Sequence, residues 1–91
     1  MSTVKVIFYD PETIKTSDML SVVRAYWTDN FYTIPGLIFV RTEDSPKTIY
    51  TNFGSLIKDK NIFISCVDTT DGSYWGFMKK DLWIWLKKRD D

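Results

Sequence analysis

The chain has 91 residues, which fits one domain spanning 1–91 around a single hydrophobic core, and its 44% hydrophobic and 26% charged content excludes a disordered polypeptide. Its 12 Lys and Arg balance 12 Asp and Glu, so the molecule lacks the broad positive field that holds nucleic acid non-specifically. Histidine is absent, which removes Ser-His-Asp and Cys-His nucleophilic machinery and the commonest transition-metal ligand.

The predicted elements begin with residues 4–9, a β-branched and aromatic run interrupted only by Lys5 and ended by Asp10-Pro11, which reads as a buried strand. Ser17 can cap a helix starting at Asp18, whose charge suits the first turn. At helical spacing Met19, Leu20, Val22, Val23, Tyr26 and Trp27 share one face, and the helix is expected to end near Asp29-Asn30. Residues 31–34 and 37–41 are strand-like and flank Pro35-Gly36, a dipeptide suited to a turn because Pro sets φ and Gly accepts φ > 0. Ser45-Pro46 then supplies a cap and a proline at the first helical position, and Ile49, Tyr50, Phe53, Leu56 and Ile57 fall within a narrow arc. Residues 62–67 form another continuous apolar strand, read as sheet interior, and 68–73 a polar loop.

The order strand, helix, strand, strand, helix, strand predicts an α+β domain of the ferredoxin-like βαββαβ kind, with both helices on one face of the sheet. After it comes a Trp-rich C-terminal extension with three of the four tryptophans in residues 74–86. Leu82, Trp83 and Leu86 share a helix face from Lys79 onward, and the flanking lysines favour helix over strand. Trp75 to Phe77 read as a short edge strand before it. Ile84 and Trp85 fall away from the Leu82 and Leu86 face, which makes them candidates for contact with a partner, as is Trp75.

Lys79, Lys80, Lys87, Lys88 and Arg89 interleave with these aromatics and could form a small nucleic-acid platform on which bases stack. The competing reading is a solvated basic rim, since lysines favour a helix C-terminus and Asp90 and Asp91 oppose the charge. Asp10 is the candidate metal ligand, able to meet Mg²⁺ if a two-fold axis brings two copies together, with Glu12 the one nearby carboxylate. Its competing reading is a turn aspartate bonded to its own loop. Cys66 is the lone cysteine and reads as a small core residue, in keeping with a reducing, cytoplasmic compartment. Neither a basic-then-apolar leader nor a run of the about 20 apolar residues that a membrane span needs is visible, so neither export nor membrane insertion is expected.

The alternation, with Tyr9-Asp10 closing the first strand, resembles the small CRISPR-associated nuclease that partners the integrase in spacer acquisition. The closer likeness is to its shorter SinR-like relatives, carried by Ser45-Pro46, the 62–67 strand, Trp75-Gly76-Phe77 and Trp83-Ile84-Trp85-Leu86. The resemblance implies a ferredoxin-like homodimer whose sheets meet, and in nuclease members an aspartate after the first strand, matched here by Asp10, that holds a divalent metal. The neutral charge and scarce basic residues near Asp10 depart from the nucleic-acid-handling pattern. The expected function is therefore a small dimeric, non-catalytic module that needs no cofactor, binds protein or nucleic acid, and belongs to a defence or mobile-element system. The alternatives are a Mg-dependent nuclease using Asp10 and a protein inhibitor acting through the aromatic C-terminal surface.

Overall fold

The computed structural model describes residues 3–69, Gly76 and residues 80–87. Strand β1 (Thr3–Tyr9) leads into helix α1 (Thr16–Trp27), then strands β2 (Phe31–Ile34) and β3 (Leu37–Thr42), helix α2 (Pro46–Phe53), a 3₁₀ turn (Gly54–Ile57), strand β4 (Ile62–Val67) and helix α3 (Lys80–Lys87). The four strands form one antiparallel sheet in the order β2-β3-β1-β4, which makes β1 and β3 central. This is a small α+β architecture.

Period-two alternation along β1 divides the protein into layers. Ile7 and Tyr9 point into the larger core, where Ile14, Met19, Val23 and Trp27 meet Ile38, Val40, Ile49, Phe53 and Ile57. Val4, on the opposite face, packs against Leu82 and Leu86 of α3, joined by Tyr32, Phe39, Val67, Trp83 and Trp85. Thus α1 and α2 cover one face and α3 covers part of the other. Lys5 is buried, and its ammonium donates to the Thr42 carbonyl at 2.9 Å and to the Thr3 hydroxyl.

Helix α1 buries Met19, Val23 and Trp27, one residue per turn on a narrow stripe. The Trp27 indole N–H donates to Asp44 Oδ2 at 2.9 Å, so the buried ring keeps its polar edge satisfied. The helix starts two residues before the expected Asp18 because Lys15, in extended backbone, accepts the amides of Asp18 and Met19. Ser17 consequently lies inside the helix rather than capping it. Thr28 takes φ 54° and stops the helix at Trp27, before the anticipated Asp29-Asn30. Tyr26, expected on the buried face, is 55% exposed, since it lies about 100° around the helix from Trp27.

The Pro35-Gly36 turn joins β2 and β3 as a hairpin, with Ile34 opposite Leu37. Gly36 sits at φ 85°, a conformation that favours glycine, and a Cβ there would crowd the Tyr9 carbonyl at 3.3 Å. Helix α2 begins as the sequence indicates: Ser45 Oγ accepts from Thr48 N at 3.1 Å, and Pro46 occupies the first turn. Gly54 at φ 59° ends it, and the following 3₁₀ turn carries Ile57 into the core.

Strand β4 corrects a sequence expectation. It lies at a sheet edge among the described residues, so its apolar run does not mark an interior strand. Ile62 and Ile64 pack on the helix side, Val67 packs beside α3, and Phe63 is 63% exposed on the other face. Cys66 is likewise exposed rather than a core residue, on a strand that has a neighbour on one side only among the described residues.

Candidate interaction surface

The C-terminal segment is helical over Lys80–Lys87 rather than a strand, and its sequence accounts for the way it docks. Leu82 and Leu86, four residues apart, are 2% and 5% exposed against Val4. That burial turns Ile84 outward at 60% exposure, leaves Trp83 and Trp85 half-buried on the flanks, and places Lys80, Asp81 and Lys87 in solvent.

Arg41 is the fastening that the sequence does not reveal. It stands opposite Val4 in the β1–β3 register, and its guanidinium donates to the carbonyls of Trp85 at 2.9 Å and Leu86 at 3.4 Å. These carbonyls belong to the last described turn of α3, toward the helix end that carries partial negative charge. The same guanidinium lies 4.3 Å from the Trp85 ring centroid, and Phe39 meets Trp85 at 6.4 Å between centroids. Trp85 is therefore fixed from below by a cation and from one side by an aromatic ring.

Beside this anchor runs a shallow groove lined by Tyr32, Asp81, Ile84, Trp85 and Lys87. Its floor is aromatic and aliphatic, with one carboxylate and one ammonium at its margins. Of the residues anticipated for binding, Ile84, Trp85, Lys80 and Lys87 thus share one helix surface. Trp75, Lys79, Lys88 and Arg89, together with the expected strand at Trp75 to Phe77 and most of the 68–73 loop, lie outside the described residues, apart from Gly76 in the strand stretch and Asp68 and Thr69 in the loop.

The same sheet face carries a second apolar row. The register places Phe8 between Leu37 and Phe63, with Ile34 beyond Leu37. Phe8 is 49% exposed, and its ring lies 6.3 Å from that of Phe63. Sequence reading missed this row because a run of consecutive apolar residues hides which parity faces outward; strand alternation relative to Val4 was the available signal.

Asp10 sits in a different setting. Its Oδ1 accepts the Glu12 amide at 2.9 Å, while its carbonyl accepts the amides of Thr13 at 3.1 Å and Ile14 at 3.0 Å. This is an Asx turn that reverses the chain after β1. Among the described residues no group of three His, Cys, Asp or Glu side chains could hold a metal ion. No described helix is long and apolar enough to cross a membrane. No family model, curated protein or solved structure matches this chain.

Proposed function

We propose that this protein is a small non-catalytic interaction module, acting as a cytoplasmic homodimer and binding a protein partner through the outer surface of α3. The observation that carries this reading is the pairing of Ile84, 60% exposed, with a Trp85 held rigidly by Arg41 and Phe39 at the edge of an apolar groove. A rigid aromatic beside an exposed aliphatic residue is the composition of an interface anchor, since little side-chain entropy is lost when a partner covers it. The mixed charge of Lys80, Asp81 and Lys87 and the neutral whole chain favour a protein over a nucleic-acid backbone.

The ferredoxin-like reading is supported by the β2-β3-β1-β4 order and by α1 and α2 packing with one face of β1. Homodimerisation is supported by the exposed Phe8 and Phe63 pair and by β4, an edge strand without a charge or proline. The structural role of the Asp10 carboxylate in its own loop supports the non-catalytic reading over a Mg-dependent nuclease. Ile84→Asp is the test. It should leave the fold intact and abolish capture of a specific protein, whereas salt-sensitive RNA or DNA binding unaffected by Ile84→Asp would replace the protein-partner reading.

A further inference from the structure

We infer that the partner is an extended peptide that adds to the edge β2 presents among the described residues and sends an apolar side chain into the groove beside α3; this rests on the reading of α3 as the binding surface. The hairpin geometry shows which backbone groups of β2 are available. In a two-residue hairpin the closing pair, here Ile34 and Leu37, is hydrogen-bonded, and bonded and non-bonded pairs then alternate along the strands. The Arg41 amide donating to the Asn30 carbonyl at 3.0 Å fixes that alternation from the other end. Tyr32 and Ile34 therefore spend their backbone groups on β3. Phe31 and Thr33 turn theirs outward, where β2 is the sheet edge among the described residues. The strand itself reads Phe-Tyr-Thr-Ile, with neither the charge nor the proline by which edges are commonly protected.

A peptide bonded to Phe31 and Thr33 places its intervening residue opposite Tyr32, on the sheet face that bears the groove. That residue is apolar, because Tyr32, Ile84 and Trp85 make the floor. A carboxylate within two positions of it, placed on the Lys87 side, meets the ammonium at the groove margin. Backbone pairing supplies sequence-tolerant affinity, and the groove supplies selectivity.

The probe is a displayed library of random heptapeptides selected on the full chain, with enriched peptides synthesised and titrated against variants. We expect enrichment of peptides pairing an apolar residue with an acid, and affinity losses of about tenfold or more for Trp85→Ala and Thr33→Pro. Thr33→Pro removes an outward amide and the 3.2 Å bond from the Thr33 hydroxyl to the Leu37 carbonyl, but no backbone bond to β3, so the hairpin should persist, as its circular dichroism would show. Amide exchange on the wild-type chain gives the same answer without a variant: bound peptide should slow Phe31 and Thr33 at least as much as Tyr32. Lys87→Glu should shift selection from acidic to basic peptides. Loss of binding in Trp85→Ala with normal binding in Thr33→Pro and unprotected Phe31 and Thr33 would overturn strand addition while sparing the α3 surface. Failure to enrich peptides, or binding indifferent to Trp85→Ala, would overturn both. Protection of Phe31 and Thr33 by rising concentrations of the chain alone would make a second copy the occupant and overturn the peptide inference.

Discussion

Replacing Arg41 with Met should loosen α3 from the sheet while keeping much of the apolar bulk beneath Trp85. Arg41 is 7% exposed, donates to two terminal carbonyls of α3 and stacks 4.3 Å from the Trp85 centroid. Hydrogen bonds from a charged donor contribute about 1.5–3 kcal/mol, and a desolvated cation–π contact adds about 2 kcal/mol. Against these stands the desolvation of the guanidinium, which Met does not incur and which is worth several kcal/mol in a buried setting. The net loss should therefore be about 2 kcal/mol, less than the sum of the contacts. In a domain of this size that corresponds to a fall in Tm of about 8–16 °C. Urea unfolding followed by tryptophan fluorescence would measure it, and amide exchange would show Ile84 to Leu86 losing protection before β1. A variant melting with the wild type and retaining the protection of α3 would refute the view that Arg41 fastens this helix.

Phe53→Asp should prevent folding, since the ring is 3% exposed in the main core, 6.2 Å from Trp27 between centroids; a cooperative melt at the wild-type temperature would contradict this. Ile84→Asp should change stability by about 0.5 kcal/mol or less because the side chain is mostly in solvent, yet abolish partner capture, read by unfolding and pull-down side by side. Asp10→Ala should cost about 1 kcal/mol through loss of the bond to the Glu12 amide, measurable by urea unfolding. The wild-type protein should leave short RNA and DNA intact with Mg²⁺ or Mn²⁺; persistent cleavage that disappears in Asp10→Ala would install the nuclease alternative.

Local signals carried much of the architecture. Ser45-Pro46 announces α2 because capping and proline geometry are decided within a few residues, and Pro35-Gly36 announces the hairpin for the same reason. The Leu82 and Leu86 spacing likewise separates the buried side of α3 from Ile84. Strand position was less legible. An apolar run such as β4 is equally compatible with a central strand and with an edge strand whose faces are half covered, and only the β2-β3-β1-β4 order distinguishes them. Arg41 left no trace in the sequence, since its partners at Trp85 and Leu86 lie more than 40 positions away. Tyr32 entered the groove in the same way, through a helix docked from the far end of the chain.

The central claim is that the outer face of α3 meets a partner, and site-specific photocrosslinking in cells tests it most directly. Ile84→benzoylphenylalanine puts the probe on that face, and Tyr50→benzoylphenylalanine puts it on a residue of α2 that is equally solvent-facing, at 50% exposure, in the opposite layer. One discrete light-dependent adduct with a protein is expected from position 84 and none from position 50. Diffuse labelling of equal intensity from both positions, or no adduct from position 84, would contradict the claim.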